Sequence, residues 1–160
     1  MKIVFATDKI LDIPYNTLKG INLSNESLHR ALLENVDMSN SNFINTDFRG
    51  AFLSGSNLSN CNFSDASFIT AFLMDTNLEN SNLEKCRIIA CNLKNANLKK
   101  ANLNGANVNG AIFDNCNLEG AIMTCIDIEK ASFKNSTFND KTEWPKNFNP
   151  VFFGSKKADT

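Results

Sequence analysis

Residues 21–60 read INLSN-ESLHR-ALLEN-VDMSN-SNFIN-TDFRG-AFLSG-SNLSN, and the same five-residue pattern continues to STFND, which ends at Asp140. No insertion or deletion interrupts the 24 pentapeptides of residues 21–140. The third position is apolar in all of them, and the first is small or apolar in all but the one that begins with Glu26. Asn or Asp occupies the second position in 14 of the 24, whereas the fourth and fifth positions are mostly polar. This regularity predicts that an internal repeat determines the fold.

A period of five residues matches neither a helix nor a plain strand. One small and one large inward residue in every five indicate a short extended segment followed by a sharp turn. Four such sides close a coil of 20 residues, which places residues 20 apart in one column. Two columns are then made of asparagine, whose amides can bond each other and the turn backbone. They are Asn22, Asn42, Asn62, Asn82 and Asn102, and Asn57, Asn77, Asn97 and Asn117.

This pattern resembles the A-(N/D)-L-x-x repeat of the pentapeptide-repeat family from Ile21 to Asp140. The resemblance implies an all-β fold, a right-handed quadrilateral β-helix, here with about six four-sided coils and a cap at each end. We expect residues 1–20 to form the N-terminal cap and the start of the solenoid, residues 21–140 the β-helix, and residues 141–160 a C-terminal cap or tail. Each coil buries its interior only by stacking on its neighbours.

Both ends of such a solenoid need covering, because they expose sheet edges and an open core. The N-terminal candidates for this cover are Ile3, Phe5, Ile10, Leu11, Ile13 and Tyr15. The tail after Asp140 is similar to the WP-x-x-F-x-P segment that follows the repeats in many bacterial members of the family. Its apolar residues are Trp144, Phe148, Val151, Phe152 and Phe153. We favour a cap over the last coil, with a dimer contact as the alternative.

Charge and hydropathy narrow the function classes. The 16 basic and 17 acidic residues give a net charge of -1, so no strongly basic face supports direct nucleic-acid binding. The first apolar run, MKIVFAT, is too short for the core of a signal peptide, and no stretch approaches the ~18 apolar residues of a membrane span. We therefore expect a cytoplasmic protein that does not engage a membrane.

Few residues are candidates for catalysis or metal binding. The single histidine, His29, lies at an outward fourth position, and the five cysteines include no CxxC pair. Cys61, Cys86, Cys91 and Cys116 occupy the small inward first position, where cysteine acts as a compact apolar residue. Cys125 falls at an outward fifth position and is either a reactive thiol or, as we favour, merely exposed. We expect no enzyme, no cofactor and no metal site.

One column departs from the polar rule for the second position. It reads Leu32, Phe52, Phe72, Asn92, Ile112 and Ser132. Met74 lies on the same side, and the adjacent side presents Ile69 and Ile89 at outward fourth positions. A contiguous exposed apolar surface is typical of an interaction site. The alternatives are local tolerance of apolar residues and cover by a terminal segment.

These observations favour a non-catalytic, rigid scaffold for protein–protein interaction, whose partner is an unidentified protein or a second copy of the chain. The alternative comes from relatives that bind DNA gyrase, a type II topoisomerase, by mimicking DNA and so confer quinolone tolerance. Residues 31–80 carry six acidic residues against Arg49 alone. However, these acids are spread over all four sides, and the column Ser39, Ser59, Glu79, Lys99, Glu119, Asn139 is not continuously acidic.

Overall fold

The computed structural model describes residues 2–14 and 16–158. Its main feature is a series of parallel β-bridges between residues 20 positions apart, such as the bridge from Leu32 to Phe52. The N–H of Leu33 donates to the carbonyl of Phe52 at 2.8 Å, and the N–H of Phe52 donates to the carbonyl of Ala31 at 2.9 Å. Bridged residues recur every five positions, beginning with Asn22, Ser27, Leu32 and Asp37. The chain is therefore an all-β solenoid in which each coil is hydrogen-bonded to the next.

Within the described part of the chain, strands longer than a single bridged residue lie towards the two ends of the solenoid. The strands are β1 (Lys2–Phe5), β2 (Ile10–Asp12), β3 (Ala31–Leu32), β4 (Thr137–Phe138) and β5 (Lys156–Lys157). β1 lies between β2 and β3 and is antiparallel to both, whereas β4 and β5 are parallel. Two short 3₁₀ helices cover Ile128–Lys130 and Pro150–Phe153. No helix within residues 2–14 and 16–158 is long and apolar enough to cross a membrane.

The turn that ends each side places the fifth residue in the left-handed region. Every fifth position from Gly20 to Gly120 has a φ between about 50° and 75°. Asn, Asp and Gly reach this region at the lowest cost, which explains why they are so frequent there. Thr70 and Ala90, with φ of 58° and 53°, adopt the same conformation without that advantage.

The interior is filled by third-position side chains that stack directly on one another. The rings of Phe43 and Phe63 stack with centroids 5.2 Å apart, and those of Phe48 and Phe68 stack at 5.0 Å. Neighbouring columns meet edge to face, as in the 5.4 Å contact of Phe43 with Phe48. Both geometries are favourable for aromatic rings, so this stretch of the interior is specifically packed.

First-position residues are small because they lie where adjacent sides meet, and the polar ones bond within the interior. The hydroxyl of Thr46 donates to the backbone carbonyl of Leu23 at 2.8 Å. The thiol of Cys61 donates to the backbone carbonyl of Met38 at 3.0 Å. In each pair the acceptor is the third-position residue 23 positions earlier. Ser, Thr and Cys are thus accommodated at this buried position without an unpaired polar group.

The asparagine columns form part of the side-chain ladder expected from the sequence, with four amide-to-amide hydrogen bonds among the described residues. The amide of Asn97 donates to the side-chain oxygen of Asn77 at 3.1 Å, and Asn102 bonds Asn82 in the same way at 3.3 Å. Each amide oxygen also accepts from a backbone N–H two residues later, as Asn82 does from Glu84 at 3.1 Å. The second-position asparagines therefore stabilise both the stack and the turn.

At the N-terminus, the hairpin of β1 and β2 adds to the edge of the first coil through the pairing of β1 with β3. Ile3, Phe5 and Ile13 are buried and Leu11 packs partly against them. The expectation that Ile10 covers the interior is wrong, because its side chain is on the outer face of the hairpin and 53% exposed. Tyr15 lies outside the described residues.

The expectation of an unbroken register through residue 140 is also wrong. Asn107 bridges Ile126, only 19 positions later, and Ile112 bridges Ser132 at the usual 20. The chain is one residue short after Met123. There it makes a tight turn, in which the N–H of Cys125 donates to the carbonyl of Met123 at 2.7 Å. The 3₁₀ helix at Ile128–Lys130 restores the lost residue.

Residue volume explains this local shift. Cys125, expected at an outward fifth position, is half-buried in the first-position role, with its sulfur 3.5 Å from the carbonyl oxygen of Leu103. Ile126, expected to face inward, is 54% exposed. The small cysteine fits the narrow first position better than the branched isoleucine. Asp127 now adopts the left-handed conformation of the turn, which aspartate tolerates better than most residues.

The coil pattern continues beyond Asp140 into the tail. Glu143 bridges Ile122, and the hydroxyl of Thr142 donates to the carbonyl of Leu118 at 2.9 Å, as first-position residues do. Trp144 then packs edge to face on Phe133 and Phe138, with centroids 5.8 and 5.7 Å away. Phe148 and Phe153 stack at 4.5 Å beside it.

The five apolar tail residues thus separate into two groups. Trp144, Phe148 and Phe153 pack against the end of the core, whereas Val151 and Phe152 are 56% and 86% exposed. The 3₁₀ helix at Pro150–Phe153 directs the latter two side chains to the surface.

Burial affects all five thiols. It raises the pKa of Cys61 to about 11 and that of Cys91, Cys116 and Cys125 to about 12, and the pKa of Cys86 rises further still. The cause in each case is that a thiolate would lose its hydration inside the protein. Cys125 therefore does not have the properties of a reactive thiol, because the thiolate is the nucleophilic form.

We predict that Ala90→Gly stabilises the protein by about 1 kcal/mol, because glycine removes the steric cost of a left-handed residue. Chemical denaturation measures the change. The control is Ala96→Gly, at a buried first position without a positive φ, which we expect to destabilise by about 1 kcal/mol. Equal destabilisation by both changes would contradict this account of the turn.

We also predict that native protein at pH 8 reacts very slowly with a thiol reagent. Raising a pKa from 9.0 to about 12 lowers the thiolate fraction at pH 8 about 1,000-fold, and the rate should rise as the pH increases. In denatured protein all five thiols should react with the reagent. Rapid native modification of one thiol that is lost in Cys125→Ser would show that Cys125 is reactive after all.

Candidate protein-interaction surface

Five apolar side chains form a continuous row on one outer face of the molecule. Residues that pair in a sheet project to the same side, and bridges or strand pairs join each member of the row to the next. We call this row the outer apolar strip: Ile10, Val4, Leu32, Phe52 and Phe72. At ~4.8 Å per strand it is about 19 Å long.

The strip is accessible along its length. Four of its members, Ile10, Val4, Leu32 and Phe72, are between 41% and 53% exposed, and Phe52 is half-buried between its neighbours. The rings of Phe52 and Phe72 stack at 5.0 Å with only 9° between their planes. The two rings therefore cover each other's faces and expose a pair of stacked ring edges to the solvent.

The hydrogen bonds that stabilise the turns do not explain why phenylalanine occupies the second position at Phe52 and Phe72. A second-position asparagine accepts a hydrogen bond from the N–H two residues later, as Asn92 does from Lys94 at 3.1 Å. A phenylalanine side chain has no such acceptor. Phe52 and Phe72 thus lack this turn-stabilising hydrogen bond, and their side chains pack within the column instead.

The other residues predicted for this surface lie around the strip. Ile112 is in the same column and 37% exposed, but Asn92 separates it from Phe72. Met74 lies at the corner that follows the strip, and Ile69 and Ile89 lie at the corner that precedes it; all three are half-buried. They widen the apolar surface beside Phe72.

Val4 and Ile10 are the members that the repeat pattern could not identify. They belong to the hairpin, where Ile3 and Phe5 face inward and Val4 faces outward. The pairing of Val4 with Leu32 brings the hairpin into line with the column. The N-terminal segment therefore extends the strip rather than covering it.

Charged residues border the strip on both sides. We define the leading flank as the corner before the strip, with Arg30, Ile69 and Glu129, and the trailing flank as the corner after it, with Glu34, Met74 and Lys134. The four charged members are exposed. Within residues 2–14 and 16–158, their side chains form no hydrogen bond or ion pair.

A second surface feature is a hollow of about 250 Å³ on the preceding side of the solenoid, next to Ser67. Ser67 is a short residue between Asp47 and Arg87 in its column, and its buried hydroxyl has no hydrogen-bond partner among the described residues. Asp47 pairs with Arg49 at 2.7 Å, and Asp65 and Arg87 also line the hollow. The two acidic and two basic residues balance, so the hollow has no net charge to select an anion or a cation.

The remaining chemical candidates are dispersed. His29 is exposed on the leading flank, and four cysteines are buried in the interior. Among the residues that the structure describes, no group of three or more His, Cys, Asp and Glu side chains is arranged to hold a metal ion.

Comparison with solved structures identifies similar solenoids. HetL, a pentapeptide repeat protein involved in heterocyst differentiation regulation from the cyanobacterium Nostoc sp. strain PCC 7120, is 27% identical with a TM-score of 0.55. The match covers 76% of this chain but 59% of HetL, so this chain spans less than two thirds of that protein. QnrB1, a plasmid-mediated fluoroquinolone resistance protein, matches with a TM-score of 0.62 over 78% of this chain and 77% of its own. Its 19% identity shows the fold alone.

No curated protein sequence matches the chain. The family model for pentapeptide repeats, however, matches 8 copies within residues 17–50, 27–65, 71–110 and 101–140. These segments cover most of the bridged coils described above. The chain belongs to the pentapeptide-repeat family.

Proposed function

We propose that this protein is a non-catalytic, rigid scaffold that binds another protein through the outer apolar strip. The observation that carries the proposal is the continuous row of five outward-facing apolar side chains. Such a row costs solubility and contributes little to the interior, so a partner that buries it is the most direct explanation. The stacked rings of Phe52 and Phe72 supply the kind of aromatic anchor that dominates binding energy at interfaces.

Rigidity makes this surface suitable for binding. We propose a rod of about six four-sided, right-handed coils over residues 21–140, with residues 1–20 and 141–160 closing its two ends. The regular bridges between coils support this arrangement. Because the strip residues are held in a hydrogen-bonded stack, little conformational entropy is lost when a partner binds.

We further propose that the protein acts in the bacterial cytoplasm. The five free cysteines support a reducing compartment. The regulatory role stated for HetL also suits a protein that acts by binding rather than by catalysis.

We predict that Phe52→Ser combined with Phe72→Ser weakens partner binding. Serine already occupies second positions in this chain, at Ser27, Ser67 and Ser132, so the solenoid should tolerate it. Loss of a central aromatic anchor should weaken binding roughly 30-fold or more. Affinity capture with the immobilised protein, followed by mass spectrometry, measures the loss.

The matched control is Asn57→Ser combined with Asn77→Ser, which changes the same two coils on the next side. We expect the control to retain every protein that the unmodified chain retains. If the phenylalanine variant retains the same proteins as the control, the strip is not the binding surface.

The second candidate is a DNA-mimicking inhibitor of DNA gyrase. The observation that favours it is the excess of acidic residues over residues 31–80. Two of these acids are locally neutralised, since Lys19 pairs with Asp37 at 3.5 Å and Arg49 with Asp47 at 2.7 Å. Further along, Lys99 pairs with Glu119 at 3.1 Å and interrupts the acidic column. The charge pattern therefore supports the scaffold better than the mimic.

We predict that the purified protein, at micromolar concentration, neither inhibits gyrase supercoiling nor protects the enzyme from a quinolone. A supercoiling assay with relaxed plasmid measures both effects. Inhibition that disappears in Asp75→Asn combined with Glu79→Gln would instead support the mimic, because the exposed Asp75 and the half-buried Glu79 form no ion pair within the described residues.

A further inference from the structure

We propose that the outer apolar strip binds the same strip of a second copy, so that two solenoids pack side by side and parallel. The two-fold axis of this dimer runs along the strip. The inference rests on the proposed function and names the partner that the strip takes. Two properties of the surface carry it: the order of the residues along the strip and the charges on its two flanks.

Along the strip, a parallel two-fold axis sets each residue against its own copy. Phe72 then meets Phe72, Leu32 meets Leu32, and the hairpin residue Val4 meets Val4. The polar interruption, Asn92, meets itself, and two amides can bond each other. Apolar groups thus face apolar groups from the hairpin to Phe72 and again at Ile112.

Across the strip, the same axis sets the leading flank of one copy against the trailing flank of the other. In the first coil this places Arg30 opposite Glu34. In the third coil it places Ile69 opposite Met74, which extends the apolar contact sideways. In the last coil Glu129 comes opposite Lys134. Because these charges form no bonds within the described residues, they are free to pair between copies.

An antiparallel dimer fits the surface less well. A two-fold axis across the middle of the solenoid would also bring opposite charges together, with Arg30 against Glu129. However, it would place Phe72 against Asn92 and Leu32 against Ser132. Val4 and Ile10 would extend past the end of the partner's column. Only the parallel arrangement satisfies both the apolar order and the charges.

An unrelated partner would need no such match of the surface with itself. The agreement of the named flank residues with their own two-fold copies in the first, third and last coils, together with the apolar order along the strip, is therefore the reason to favour a second copy of this chain.

Light scattering tests the dimer. We expect the unmodified chain to have twice its mass of 17.7 kDa and to dissociate on dilution. Phe52→Ser with Phe72→Ser should have the mass of one chain, while Asn57→Ser with Asn77→Ser remains dimeric. Thermal unfolding of each variant verifies that it is folded. An unmodified chain with the mass of one chain at every concentration overturns the proposal.

Charge exchange and crosslinking test the orientation. Arg30→Glu should weaken the dimer at least tenfold, and adding Glu34→Arg should restore it, since the two residues meet only in the parallel arrangement. In a Cys125→Ser background, Leu32→Cys and Ile112→Cys should each crosslink to their own copy through a short bismaleimide, because facing sheets pack about 10 Å apart. Failure of the exchange to restore binding, or no crosslink at either position, overturns the parallel dimer.

These outcomes separate the inference from the proposed function. A monomeric chain that still captures another protein through Phe52 and Phe72 overturns the dimer and leaves the scaffold in place. A monomeric chain without strip-dependent capture overturns both.

Discussion

The left-handed turn at every fifth residue is the constraint on which the rest of this structure depends. It redirects the chain after each short side, which turns the third-position side chain inward and brings N–H and carbonyl groups of successive coils into line. A left-handed residue other than glycine costs about 1–2 kcal/mol, and Thr70 and Ala90 accept this cost without a side chain suited to it. Coil-to-coil hydrogen bonds and the stacked interior, including the Phe43 and Phe63 rings, offset that cost.

This division of roles leaves few positions free to evolve a function. The first and third positions are filled by interior packing and the fifth by the turn. The second and fourth positions face outward, and in most coils the second is occupied by asparagine bonded to the stack and the turn. Leu32, Phe52 and Phe72 are therefore informative, because they stand at the second position, where asparagine would stabilise the stack and the turn. The hairpin adds Val4 and Ile10 to the same row, so two unrelated parts of the chain converge on one surface.

Much of this architecture could be predicted from the sequence because it follows from a fixed spacing. The interior columns, the asparagine columns and the outward-facing Phe52 and Phe72 all follow from counting in fives and twenties. Cys125 and Ile126 could not be placed in this way, because their positions depend on which of two adjacent side chains fits the narrow corner. The positions of Val4 and Ile10 depend on which edge of the solenoid the hairpin pairs with. The exposure of Phe152 depends on a 3₁₀ helix in a tail that has no repeat to define its register.

The register shift near Cys125 has a consequence for how such a chain can change its length. The side after Met123 lacks one residue, the 3₁₀ helix at Ile128–Lys130 supplies one more, and Ser132 regains its bridge to Ile112. A deletion and an insertion thus cancel within a single side, and the coils beyond them are undisturbed. Gaps in homologous solenoids should accordingly occur as closely spaced compensating pairs. The same device gives protein engineers a place to introduce a protruding loop without refolding the rod around it.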